Sequence, residues 1–90
     1  MLFVALLKRK VPTKEALPRR LEWKAPEGVR SVAEYWLQTP DPAVILVFEG
    51  ESVTSMLQTT SAWDDLFDIS IVPAITAEDG SKAAKQLMPQ

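Results

Sequence analysis

Leu2-Phe3-Val4-Ala5-Leu6-Leu7 and Ala43-Val44-Ile45-Leu46-Val47-Phe48 each run without a polar residue, and their reading decides the fold. Neighbouring side chains on a strand point to opposite faces, so each run presents apolar surface on both sides of a sheet. The rest of the chain carries helix enough to cover one face only. The other face needs a second cover, and a second copy of the chain is the expected one. The alternative is that the C-terminal tail folds back. About ten tail residues, however, cannot cover a four-stranded sheet about 19 Å wide.

Working outward, the first strand spans roughly Leu2 to Lys8 and ends in the basic cluster Lys8-Arg9-Lys10. Thr13 is placed to cap a helix with Ala16, Leu17 and Leu21 on one stripe. Pro18 cannot donate back to Lys14, so this helix either kinks or starts at Pro18. Pro26-Glu27-Gly28 stops it. A strand from Val29 to Gln38 leads through Thr39-Pro40-Asp41-Pro42 into the strand Ala43 to Glu49, a link short enough for an antiparallel hairpin. Ser52 is a good N-cap for a helix to about Trp63, with Val53, Met56, Leu57, Thr60 and Trp63 near one face and the first four at the spacing of a core stripe. A last strand, Ile69 to Ile75, carries Pro73, which suits an edge because it cannot donate to the ladder.

The order β-α-β-β-α-β with right-handed crossovers gives an α+β, ferredoxin-like fold: an antiparallel four-stranded sheet with both helices on one face. Strands one and three are central, which puts the two apolar runs in the middle. Residues 1–75 form this domain. Residues 76–90 form a tail in which Ser81 is placed to cap a short helix from Lys82 to Met88, with Leu87 and Met88 free to pack on the dimer partner.

Composition bounds the function. Ninety residues make one small domain that buries only about 60–65% of its unfolded surface, so a subunit interface would add substantially to its core. With 47% hydrophobic and 24% charged residues the chain is of ordinary globular type. A formal charge of −2 carries no nucleic-acid or membrane-surface signature. The absence of cysteine removes disulfides and thiolate chemistry, and the absence of histidine removes the commonest general base and metal ligand. The apolar start is followed, not preceded, by basic residues and is too short to span a bilayer, so the expected location is the cytoplasm.

Several residues are candidates for chemistry. Glu49 closes a central strand, where partial desolvation would raise its pKa and suit it to proton transfer; the ordinary reading is a solvated strand end. Arg30, Glu34 and Trp36 are expected on one face of the second strand with Val32, where Arg30 can pair with Glu34 or bind an anion. Tyr35, on the opposite face with Ala33 and Leu37, can donate a phenolic hydrogen bond into a pocket. Asp64, Asp65 and Asp68 form an acidic cluster beside Trp63, but they stand at a helix end and turn, where aspartates commonly cap, so no metal site is expected. No phosphate-cradling glycine loop and no nucleophilic triad is present, and no cofactor is implied.

The stretch Gly28-Val29-Arg30-Ser31-Val32-Ala33-Glu34-Tyr35-Trp36, the strand ending in Glu49, and Trp63-Asp64-Asp65-Leu66-Phe67-Asp68-Ile69-Ser70-Ile71-Val72-Pro73 resemble the DUF3303 family. This is a group of small bacterial proteins of unknown function within the dimeric α/β-barrel superfamily. The resemblance covers about residues 1–75, and the Trp-x-Asp-Leu-x-Asp segment is its most specific part. It implies sheets paired face to face. The superfamily's activities include cofactor-independent oxygenation of aromatic polyketides, haem degradation, lactone isomerisation and stress-related binding. The haem-degrading branch uses a histidine that this chain lacks.

Three functions from different classes follow. The first is a homodimer that binds an apolar or aromatic small molecule between sheet and helices, on Trp36, Tyr35, Met56 and Trp63. The second is a cofactor-independent oxygenase or isomerase of the antibiotic-biosynthesis-monooxygenase type, with Glu49 or Tyr35 in proton transfer and Arg30 on an anionic intermediate. The third is a structural or protein-interaction module acting through its edge strands or tail.

Overall fold

In the computed structural model, which describes residues 1–88, the apolar runs become neighbouring central strands. The elements are β1 (Leu2–Arg9), α1 (Thr13–Glu22), β2 (Val29–Trp36), β3 (Val44–Gly50), α2 (Val53–Trp63), β4 (Phe67–Pro73) and α3 (Ala77–Leu87). All pairings are antiparallel and the sheet order is β2-β3-β1-β4. The fold is the expected α+β, ferredoxin-like one. Pro73 ends the edge strand β4, opposite Phe3.

One sheet face carries α1 and α2. Ala5, Leu7, Leu46, Phe48 and Phe67 are buried there with Ala16, Trp63 and Leu66. Phe48 is the fully enclosed centre, stacked on Phe3 at 5.7 Å between ring centroids, while Trp63 leans on Phe67 at 6.0 Å.

Both helices are rotated from the faces that hydropathy predicts. On α2, Ser55, Thr59 and Trp63 are buried, whereas Val53 and Leu57 are 68% and 60% exposed. The buried hydroxyls are satisfied locally: Ser55 Oγ donates to the Glu27 carbonyl at 3.1 Å and Thr59 Oγ1 to the Ser55 carbonyl at 3.2 Å. A hydrogen-bonded hydroxyl can be buried at little cost, so the polar stripe faces inward. Ser52 caps this helix as expected, accepting from the Ser55 N–H. On α1, Ala16 is buried and Leu21 is 78% exposed; the inward line is Ala16, Arg20 and Trp23, at i, i+4 and i+7. Thr13 is the first helical residue, not its cap, and accepts from Arg9; the helix runs on through Pro18.

Other sequence-based boundaries move. β2 ends at Trp36, not Gln38, and β4 at Pro73, not Ile75. A bulge between Ser31 and Ala33 interrupts β2. The tail helix starts at Ala77 under a Thr76 cap, which accepts from the Asp79 N–H at 3.1 Å. Ser81 is interior to it and donates to the Ala77 carbonyl at 2.7 Å. None of the residues of α3 is buried, and the molecule measures 55 × 29 × 17 Å. Pro89 and Gln90 of the expected tail lie outside the described residues. No helix among the described residues is long and apolar enough to cross a membrane.

Candidate functional site

Small side chains leave a hollow between α1 and the sheet. Ala5 and Ala43 on the sheet side, Ala16 on α1 and Thr59 on α2 project little into the space they border, a cleft of about 380 Å³. Its floor is apolar, made by alternate residues of three strands: Leu7, Val44, Leu46, Ile69 and Ile71 beside Ala5. Its walls carry Trp23, Trp36 and Trp63, which are all the tryptophans in the chain. Trp23 meets Trp63 edge-on at 5.9 Å. The volume lies in the range of small-molecule pockets.

Two charged groupings interrupt this lining. Arg20 donates from Nε and Nη2 to the two oxygens of Glu34, each at 2.8 Å, and Trp36 Nε1 donates to Glu34 Oε2 at 2.5 Å. The Arg20 guanidinium also lies 5.8 Å from the Trp23 ring centroid. The hydrogen bonds from Arg20 hold the Glu34 carboxyl below the usual glutamate range, burial opposes this, and the Trp36 indole adds to the lowering. The second grouping is Arg9, at the end of β1, with the Thr13 hydroxyl that accepts from it.

The bulge in β2 explains which residues reach the cleft. Before it, Val29 and Ser31 lie opposite Gly50 and Phe48; after it, Glu34 and Trp36 lie opposite Leu46 and Val44. The extra residue switches the helix-facing set from odd to even numbers. Arg30, before the bulge, therefore faces away from the helices and Glu34 faces toward them. The expected pairing of Arg30 with Glu34 does not form. Arg30 pairs instead with Glu49 across the strands at 2.6 Å, and Glu34 with Arg20.

Of the residues expected to line a pocket, Trp36 and Trp63 do so together. Tyr35 lies outside it, because it alternates with Trp36 and pairs with Ile45 on the helix-free face, 57% exposed. Met56 also lies outside the lining, packed half-buried against the core. Glu49 is on the helix-free face, and its carboxyl is held below the usual glutamate range, not raised, because it accepts from Arg30 and lies beside that positive charge. Arg30 and Glu49 border a shallower groove of 270 Å³ with Met1, Gly28 and Glu51. The acidic cluster is dispersed: Asp65 binds Arg19, Asp68 faces Lys10 at 3.7 Å, and the Asp64 carbonyl accepts from Lys10. Among the described residues no three acidic side chains converge on a common point.

Sequence reading missed Trp23, Arg20 and Arg9 as lining residues. The spacing from Ala16 through Arg20 to Trp23 carried the signal for the first two, but a cation on an inward helical line reads as solvent-facing until its carboxylate partner is known.

Comparison with known proteins gives one match. Residues 1–88 match the family described as "Domain of unknown function (DUF3303)", an extent that takes in α3 as well as the sheet. No curated protein and no solved structure matches.

Proposed function

We propose that this chain, which belongs to the DUF3303 family, binds an apolar or aromatic small molecule in the cleft between α1 and the sheet, as a homodimer. The observation that carries the binding reading is the convergence of all three tryptophans on a 380 Å³ apolar hollow. Aromatic walls favour flat ligands through offset or edge-on ring contacts. Glu34 already accepts three hydrogen bonds from Arg20 and Trp36, so that grouping acts as a fixed wall and not as a general base.

The dimer reading rests on the helix-free face. Val72, Val4, Val47 and Ala33 form one row across the sheet, and Leu6, Ile45 and Tyr35 form most of the next. Charged pairs flank both rows, Arg30 with Glu49 on one side and Lys8 opposite Asp68 on the other. Burying an apolar side chain contributes roughly 1.5–3 kcal/mol, so these rows together offer on the order of 10 kcal/mol. Two-fold pairing of such faces is the commonest solution. Helix α3, with Leu87 84% exposed, is the natural arm to reach the second protomer.

Because every tryptophan lines the cleft, intrinsic emission reports on it directly. Phenylethanol is expected to shift or quench that emission saturably, and Ala16→Phe, which fills the hollow from α1, is expected to abolish the response while leaving circular dichroism unchanged. A saturable response that survives Ala16→Phe would put the ligand elsewhere.

A further inference from the structure

The chain contains four arginines, Arg9, Arg19, Arg20 and Arg30. Three end on carboxylates: Arg19 on Asp65, Arg20 on Glu34 and Arg30 on Glu49. The fourth does not. Arg9 donates from one guanidinium nitrogen to the Thr13 hydroxyl, and among the described residues it pairs with no carboxylate. Arg9 also lines the cleft, together with Thr13.

The charges lining the cleft are Arg9, Arg20 and Glu34. Arg20 and Glu34 cancel in a closed pair, which leaves one uncancelled positive charge in a hollow lined mostly by apolar residues. We infer that Arg9 is the anion-binding end of the cleft and that its ligand is an aromatic monocarboxylate. This rests on the cleft reading above and names the class of molecule the cleft takes.

The donor set fits that class. A guanidinium has five N–H donors in a planar fork that matches the two oxygens of a carboxylate, and Thr13 occupies one of them. The Thr13 oxygen accepts from Arg9, so its own proton remains available to a ligand oxygen. The backbone holds this end in place: the Arg9 N–H donates to the Pro40 carbonyl at 2.9 Å, tying the end of β1 to the β2–β3 loop. The aromatic body of the ligand then lies against Trp23, Trp36 and Trp63. A neutral ligand of the same shape would leave the charge of Arg9 partly desolvated and without an anionic partner.

Phenylacetate and phenylethanol share an aromatic body and differ in whether the side chain ends in a carboxylate or an alcohol. Titrating each against the tryptophan emission of the full chain gives the two affinities. Phenylacetate is expected to bind about tenfold tighter, the worth of a charge-assisted hydrogen bond. Arg9→Gln is expected to bring the ratio of the two affinities close to one, and Arg9→Lys to keep most of it. Equal affinities in the unmodified protein, or a ratio that survives Arg9→Gln, would overturn the assignment. If phenylethanol binds and phenylacetate is no tighter, the cleft reading stands and only the anion site falls. If neither compound perturbs the emission, both fall.

Discussion

Glu34 is the residue on which the cleft wall depends. Its side chain is 17% exposed, it accepts from Arg20 twice and from Trp36 once, and Arg20 in turn faces Trp23. Its carboxyl pKa is lower in the folded chain than in the unfolded one, chiefly through the hydrogen bonds from Arg20. The stability this confers is fully present above the unfolded glutamate value and is lost as pH falls through the lower, folded value. Glu34→Gln is therefore expected to cost about 1–2 kcal/mol at neutral pH, and the gap to the unmodified protein should close as pH falls through the lowered value of the folded chain. Urea unfolding at a series of pH values measures both; a gap independent of pH would remove the ionised pair from the account. Gly28 is a second position with a definite requirement. Its φ is +87°, and a Cβ there would stand 2.6 Å from Ser55 Oγ, the hydroxyl that donates to Glu27. Gly28→Ala is expected to destabilise by about 1–3 kcal/mol through the left-handed backbone and the displaced serine.

At the scale of elements, α1 and α2 are held by different means. Helix α2 is capped by Ser52 and buries Ser55, Thr59 and Trp63. Ser52→Ala is expected to cost about 1 kcal/mol by thermal or urea unfolding, because the Ser55 N–H loses its acceptor. Helix α1 has no side-chain cap and carries Pro18 in its interior. Its attachment runs through side chains: Arg19 donates to Asp65 and to the Ala62 carbonyl, and Arg20 donates to Glu34. These bonds tie α1 to both neighbours while Ala16 faces the hollow, which lets a helix be anchored without closing the cleft beneath it. Pro18→Ala restores a backbone donor to the helix interior and is expected to raise stability by up to about 3 kcal/mol. A loss of stability on that change would mean that α1 needs the shape Pro18 imposes.

For the whole molecule, the question is what covers the helix-free face. The Proposed dimer makes Ile45 central, since it lies between Leu6 and Tyr35 in the middle of that face. In native mass spectrometry the unmodified protein is expected at twice the 10.0 kDa chain mass, and Ile45→Glu at a single chain mass. A single-chain mass for the unmodified protein would end the dimer reading and leave the cleft reading intact. Helix α3 supplies an independent check. An isolated helix of eleven residues is marginal in water, and this one has no buried residue. Its amides are expected to be protected from hydrogen exchange in the dimer and to lose that protection in Ile45→Glu.

Alternation and turn chemistry were local enough to read directly. The two apolar runs, Ser52 as a cap and Pro73 as an edge marker define the order of elements and the antiparallel sheet, because backbone geometry alone makes a strand two-sided and a proline unfit for a central ladder. Trp36 and Trp63 were named for their aromatic side chains and not from alternation, which sets Trp36 and Tyr35 on opposite faces; both line the cleft. The rest was decided in three dimensions. One extra residue in β2 exchanged the faces of Arg30 and Glu34, and nothing in their spacing announces a bulge. Ser55 and Thr59 are buried without orphaned hydroxyls because the Glu27 and Ser55 carbonyls accept from them. Arg20 found Glu34, Arg30 found Glu49, and Arg9 was left lining the cleft with only Thr13. A sequence fixes which groups are charged, but which charges cancel depends on distances that exist only after the chain has folded.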